Sequence, residues 1–384
     1  MIDFHLFQNK EKYLILEVGE KSTSGFLLRL DPDKEIILEK TWSNFFWTKI
    51  SRRFRRHLEK WKVIVVANPS LATTIVLPIK LEREDNFAKS PLSSIELENL
   101  LAQATAKVFT QVRGEASRDL GIEELDTILI DNRVCNFKID CHHVMNPVDF
   151  RAKKIDAVLE LTLTTRTIFD DWKTNFSIGE TKNFFFTEAA RAELFLLKKL
   201  KPLPINLLIF NSRQNSQFSK LEKAAVGELI HRGKIKWATN SIINAIEQDL
   251  SVSPAVAQKL YSLYSQKKLS PRITRHFNLI LKPAIVPFLK HLEELKVRGA
   301  VYLDTSLPLP PFLSHKQGHA TLENLPFDDL INKLGFKIDS SKYPWPENQI
   351  FKHLAPFLEF YYNNEDLAIN HWLRRRLHWL GSVR

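Results

Sequence analysis

Cys135, Cys141, His142 and His143 gather thiol and imidazole groups within nine residues. Such donors bind zinc when their spacing allows a tetrahedral site, but this spacing matches no usual zinc pattern. Asp170 and Asp171 could pose as a pair of catalytic acids, yet neighbours in a helix point apart. No Ser, His and Asp are spaced so that a nucleophile and its base can be assigned. Arg52, Arg53, Arg55 and Arg56 flank Phe54, a mixture suited to nucleic acid. On a helix ahead of a strand, the same residues fit a solvated face or a contact with anionic lipid, and nucleic acid is the less favoured partner.

A stronger chemical pattern lies at the carboxyl end, HWLRRRLHWLGSVR. Stepping about 100° per residue, Ile369, Trp372, Leu373, Leu377, Trp379, Leu380 and Val383 fall within an arc of roughly 160°. Asn370, His371, Arg374, Arg375 and His378 fill the other side. Arg376 intrudes, and its long side chain can snorkel outward. Tryptophan on the apolar face with arginine on the polar one is the profile of a helix lying in a bilayer interface. Glu365 and Asp366, after Asn363 and Asn364, read as a short linker. The candidate membrane-binding residues are therefore Ile369, Trp372, Leu373, Arg374, Arg375, Leu377, Trp379 and Leu380. Packing of this helix on the protein's own body is the alternative.

These residues need a scaffold. The chain has 384 residues, 44% hydrophobic and 26% charged, which excludes disordered and collagen-like classes and suggests about two or three domains. Lys and Arg total 55 against 44 Asp and Glu, and the resulting +11 suits an anionic partner. Only 11 Gly stand beside 18 Pro and 26 Phe, poor supply for a glycine-dependent phosphate site. Two cysteines suit a thiol-reducing cytoplasm. No apolar run reaches the roughly 18–20 residues of a membrane span, and the opening MIDFHLFQNKEKYLILEVG lacks the layout of a signal peptide.

Residues 13–18 (YLILEV), 26–30, 34–38 and 62–67 (KVIVVA) read as strands, with a basic aromatic helix over 42–61, one half of an α/β domain. From 74 the texture changes to a strand, a helix over 93–118, strands over 127–134 and 137–139, and an alternating strand over 155–163, a compact α+β unit. Helices at 165–175 and 188–200 precede Pro202 and Pro204. The second half opens with a buried strand at 205–210, then a strand-turn-strand at 227–235, helices at 240–250, 253–264 and 273–295, and a strand at 299–303.

Three stretches make this order resemble the actin-like fold and, within it, FtsA, the bacterial cell-division family that ties division polymers to the membrane. Residues 124–150 look like the FtsA insert subdomain, with Val144, Asn146 and Pro147 as its Val-x-Asn-Pro element. Residues 227–250 look like the family's strand, turn and helix, with Asn240, Ile242 and Asn244 in place. The carboxyl end resembles the lipid-binding helix. The resemblance implies an α/β, actin-like (ribonuclease H-like) two-lobed ATPase fold with an α+β insert subdomain and a C-terminal amphipathic helix. Its layout would be first lobe 1–73, insert 74–165, first lobe again 166–204, a reduced second lobe 205–298, closing strand and helices 299–364, and membrane-binding helix 365–384. It also implies a cytoplasmic protein peripheral on the inner face of the membrane, a tether and scaffold for division filaments. Its partners would be the lipid surface, a tubulin-like division polymer, other division proteins and copies of itself.

ATP and Mg²⁺ in that family sit between glycine-rich turns whose N–H groups approach the phosphates. Here the first turn keeps Gly19, Ser22 and Thr23, but Glu17 stands where the family has Asp and Glu20 adds negative charge. The second, Asp-x-Gly-Gly-Gly-Thr-Thr in the family, is FNSRQNS at 210–216. A following Gly-Gly is Ala238-Thr239, and the adenosine-binding glycines are Asp304-Thr305-Ser306. An ordinary residue forced into a left-handed backbone costs roughly 1–2 kcal/mol, and its side chain fills phosphate space. Glu17, Gly19, Ser22, Thr23 and Asn240 are thus the candidate contacts of a degenerate nucleotide site. The expectation is a pseudo-ATPase with no catalytic residue, no metal and ATP at most weakly held. Three rivals differ: a PilM-type pilus-assembly adaptor sharing fold and insert without needing a lipid-binding tail, an actin-like ATPase or sugar kinase needing the lost acids and glycines, and a nucleic-acid-binding protein.

Overall fold

The computed structural model describes residues 11–19, 22–45, 61–176, 184–213, 215–225, 227–313, 315–339, 341, 347–362, 369–370 and 372–373. β1 (Glu11–Val18), β2 (Thr23–Leu30) and β3 (Glu35–Trp42) form an antiparallel meander, and β4 (Lys62–Ala67) lies parallel to β1. The unbroken apolar runs of β1 and β4 suit central strands covered on both faces. The basic helix expected over 42–61 begins inside β3 at Trp42, and residues 46–60, with the four arginines, lie outside the described residues.

After β4 the chain departs into the insert: β5 (Ala72–Glu82), α1 (Asp85–Ala88), α2 (Ser94–Leu120), β6 (Thr127–Ile139), β7 (His142–His143) and β8 (Lys154–Thr165). Its four strands run β5-β8-β6-β7, all antiparallel. Ser93 caps α2 by accepting the Glu96 N–H, and Gly121 ends it at φ 69°, a left-handed position where glycine avoids the Cβ penalty. Leu97, Leu101, Phe109 and Val112 of α2 are buried in the insert's core with the inner side chains of the sheet. The two strands expected at 127–134 and 137–139 are one strand with register shifts. One lies at Cys135/Lys138, where Asn136 takes φ 55°. The cysteines and histidines separate accordingly: Cys135 lies on β6, while Cys141, His142 and His143 are exposed at the hairpin turn.

α3 (Arg166–Phe176) leads back to β9 (Phe184–Glu188), parallel to β4, and α4 (Ala189–Leu200) carries the chain into the second lobe. There β10 (Ile205–Ile209), β11 (Ser216–Lys223) and β12 (Glu228–Ile235) form another meander. The strand-turn-strand expected at 227–235 is therefore a single strand. The pairing Lys223↔Glu228 makes 224–227 the turn, closed by Ala224 N–H on the Gly227 carbonyl at 2.7 Å. α5 (Asn240–Leu250), α6 (Pro254–Ser265) and α7 (Pro271–Glu294) follow. β13 (Gly299–Asp304) then pairs parallel with β10, and β14 (Lys316–Gln317) and β15 (Ala320–Asn324) complete the sheet. α8 (Phe327–Leu334), β16 (Lys337–Asp339) and α9 (Glu347–Tyr362) return to the first lobe, β16 pairing with β3. The stretch 299–364 is thus divided between lobes.

The two large sheets share one strand order: β3-β2-β1-β4-β9 in the first lobe and β12-β11-β10-β13-β15 in the second. In each, three antiparallel strands are followed by two parallel ones added beside the first. This is the ribonuclease H-like topology used twice, and the fold is actin-like. One apolar cluster spans both lobes, from Ile15 and Leu28 through Leu197 to Leu207 and Tyr302. The lobes are therefore fused through a common core, with α4 and α9 at the seam.

Candidate functional site

β1 ends at Val18 and β13 at Asp304, and the carboxyl ends of parallel strands are where α/β folds place ligands. Beside these strand ends α4 places Glu193, and α9 places Lys352 and His353. The Lys352 ammonium donates to Asp304 Oδ2 at 3.0 Å, joining the lobes. His353 Nδ1 meets Glu17 Oε1, and its ring also packs on Phe26 with centroids 4.3 Å apart. Glu193 is buried, and neither of its carboxyl oxygens has a hydrogen-bond partner among the described residues.

The electrostatics follow from that geometry. Burial first, then the Asp304 charge, hold the Glu193 carboxyl well above the usual carboxylate range. Burial pushes Glu17 upward too, but His353 and Lys352 outweigh it and leave Glu17 below its ordinary value. Lys352 is held above the ordinary lysine value, chiefly by Asp304 and further by Glu17 and Glu193. One fixed ammonium thus serves three acids.

The backbone donors expected to face phosphates point elsewhere. Gly19 N–H donates to the Ser22 carbonyl at 2.9 Å, and Thr23 pairs with Val18 to close the first hairpin. Asn240 N–H donates to the Ser212 carbonyl at 3.0 Å and Thr239 N–H to the Asn211 carbonyl at 2.9 Å. Arg213 N–H is taken by Asn211 Oδ1 at 3.1 Å. Glu17, Gly19, Ser22 and Thr23 therefore share one hairpin, while Asn240 is bonded to the corresponding turn of the second lobe. ATP with Mg²⁺ fits these residues poorly: its anionic oxygens would meet Glu17 and find those amides already engaged.

Two further polar junctions lock the insert and lobes. Glu188 is fully buried and takes Arg232 Nη1 of β12 at 2.6 Å and the Thr74 N–H of β5 at 2.8 Å, while Arg232 Nε donates to the Thr74 carbonyl at 3.0 Å. Glu359 of α9 receives Arg133 Nη1 of β6 at 3.1 Å, Thr187 Oγ1 at 2.6 Å, and Arg191. Sequence reasoning missed Glu193, Glu359, Lys352 and His353. The available signal was a lone acid in each of two apolar helices, AARAELFLL and HLAPFLEFYY, because an isolated buried carboxyl must find a partner or a proton.

Three of the carboxyl-terminal candidates lie among the described residues. Leu373 is 0% exposed, inside the apolar core of the insert, and Ile369 and Trp372 pack against the same cluster. Asn370 Oδ1 accepts the Val134 N–H at 2.8 Å, covering the edge of β6. Leu373 is consequently enclosed by protein while Ile369 and Trp372 are half-buried against it, because the edge of β6 presents both an amide to satisfy and apolar side chains to cover. Arg374, Arg375, Leu377, Trp379 and Leu380 lie outside the described residues. Replacing Leu373 by alanine is expected to cost about 2 kcal/mol from the cavity left in the insert, read as a lower denaturation midpoint.

No family model matches the chain, and no curated protein matches it. Among solved structures it is similar to one described as a PilM–PilN type IV pilus biogenesis complex, at 12% identity, 97% of this chain, 99% of the other and a TM-score of 0.49. It is similar to the cytoplasmic domain of EpsL, an inner membrane component of the type II secretion system of Vibrio cholerae, at 9% identity, 84% and 94% coverage and 0.30. A third is the activator of 2-hydroxyisocaproyl-CoA dehydratase from Clostridium difficile with bound ADPNP, at 10% identity, 97% and 98% coverage and 0.32. The fold assignment rests on the repeated strand order, not on these scores.

Proposed function

We propose that the chain is a non-hydrolysing actin-like adaptor, a rigid platform for protein partners in a membrane-associated assembly. The observation that carries this reading is Lys352 bonded to Asp304, with Glu17 and Glu193 close enough to raise its affinity for its proton. A cation fixed by the chain itself stands where a turnover site needs an exchangeable metal and phosphates. With the interlobe core continuous and Arg232 clamped on Glu188, the lobes form one body, suited to presenting surfaces.

Thermal melting with and without millimolar Mg-ATP tests the reading. The expected shift is below about 1 °C, because a ligand held near or above its own concentration in affinity adds almost nothing to stability. A rise of several degrees overturns the adaptor reading in favour of a nucleotide-binding protein.

Of the two adaptor settings, the burial of Leu373 favours one like pilus assembly, whose adaptor needs no lipid-binding tail, over an FtsA-like division tether. The division reading requires the apolar side of 369–380 to be free for lipid, and Ile369, Trp372 and Leu373 lie against the insert's core instead. Partners in either setting would be membrane-associated proteins and copies of this chain. No described helix is long and apolar enough to cross a membrane.

A further inference from the structure

The second lobe carries a surface that neither the cleft nor the carboxyl-terminal segment uses. α7 buries Phe277, Leu281, Ile285, Phe288 and Leu292 in the lobe's core. At about 100° per residue, Arg272, Arg275, Leu279, Lys282, Val286 and Lys290 fall within an arc of about 80° on another side. All six are exposed, Leu279 at 73% and Val286 at 52%. The charge along this stretch of chain has one sign. Residues 251–292 contain no Asp or Glu, while Lys259, Lys267, Lys268, Arg272, Arg275, Lys282 and Lys290 supply seven cations. The acids bounding this stretch are Asp249, which pairs with His276 at 2.9 Å, and Glu293 with Glu294 beyond the stripe.

We propose that this face of α7 rests on an anionic lipid surface. Leu279 and Val286 are the side chains that enter the headgroup boundary, and Arg275, Lys282 and Lys290 beside them meet lipid phosphates. Apolar residues set among arginine and lysine on one helix face are the composition of an interfacial helix, and anionic headgroups attract each such cation. An ordinary solvated helix face mixes both signs of charge; this one does not. Because α7 is already folded against its own core, binding orders no new segment, unlike attachment through a free tail. The inference holds whether or not the cleft takes nucleotide.

Flotation of the full chain with vesicles of phosphatidylcholine containing one-third phosphatidylglycerol, beside vesicles of phosphatidylcholine alone, tests it. The wild type is expected to float only with the anionic vesicles. Leu279→Glu with Val286→Glu is expected to weaken that binding about tenfold or more, and Arg275→Glu with Lys282→Glu to do the same. All these side chains face solvent, so an unchanged melting temperature marks the variants as folded. A full-length Leu377→Glu, Trp379→Glu variant separates the tail's contribution. Loss of binding there, with both α7 variants floating like the wild type, overturns the proposal, as does a wild type that stays with neither vesicle. Sedimentation without lipid covers the other occupant: a wild-type dimer that Leu279→Glu, Val286→Glu converts to monomer, with flotation unchanged, assigns the face to a second copy and likewise overturns it.

Discussion

Lys352→Met lowers the stability of the folded chain by about 3 kcal/mol near neutral pH, the low end of the cost of breaking a buried ion pair, because Asp304 is buried while the Lys352 side chain is 31% exposed. For a chain of this length that corresponds to a melting temperature lower by roughly 5 °C. The loss is large because methionine keeps the volume but strands Asp304, 4% exposed, and removes the cation that helps keep Glu17 ionised. The pH dependence gives the test its sign. Glu17 has a folded value below its ordinary 4.5, so its contribution is present above that value and is lost as pH falls through the folded one. Glu193 is raised, so its proton favours the folded state, and stability falls as pH rises from 4.5 toward its folded value. Lys352 is raised as well: its contribution is complete below 10.5 and disappears as pH climbs through the folded value. Removing Lys352 takes away one of the cations that keep Glu17 charged, so the deficit of the variant shrinks as pH falls into the acid range, where Glu17 protonates. Thermal melts at pH 4 and pH 7 check this; a deficit that is equal at both, or absent, shows that Lys352 is not the counter-charge of the cleft.

Glu359→Gln is expected to cost about 3 kcal/mol or more by the same rule, but at a different place. Glu359 is 0% exposed and receives guanidinium groups from Arg133 and Arg191. Asp131 remains for Arg133 at 2.9 Å and Glu160 for Arg191, so glutamine leaves two cations with one acid fewer between them. Arg133 also donates to the Phe186 carbonyl at 3.1 Å and lies 4.2 Å over the Phe185 ring, so it ties β6 of the insert to β9 of the first lobe. Loosening it therefore frees the insert before it unfolds the lobes. Hydrogen exchange is expected to quicken at Val134 and its neighbours in β6 for Glu359→Gln and to stay slow there for Lys352→Met. Uniform acceleration across both lobes in Glu359→Gln excludes a junction specific to the insert. The two substitutions act through separate partners, so their combined cost is expected to be close to the sum.

The amino-acid sequence by itself determined the local architecture. Apolar runs such as YLILEV and KVIVVA placed the central strands, Pro254 marked the start of α6, and the helix at Asn240 began where its pattern began. The missing glycines at 210–216 and 304–306 were equally legible, since a residue's identity is enough to say that a left-handed turn is costly. Where one strand was read as two, over 227–235, Gly227 is the last residue of the preceding turn and the strand runs unbroken from Glu228 to Ile235.

Tertiary structure alone decided what stands in the cleft and what covers the amphipathic face. His353 reaches Glu17 across 336 positions and Arg133 reaches Glu359 across 226. Pairings at such separations leave no periodic trace in one sequence, because helical and strand repeats record only which side of an element is apolar. The same limit applies to Ile369, Trp372 and Leu373. Their spacing defines a greasy stripe, and burial against lipid or against protein removes the same area from water. Only the edge of β6, with the Val134 amide waiting for Asn370 and the apolar core of the insert beside it, turned that stripe inward.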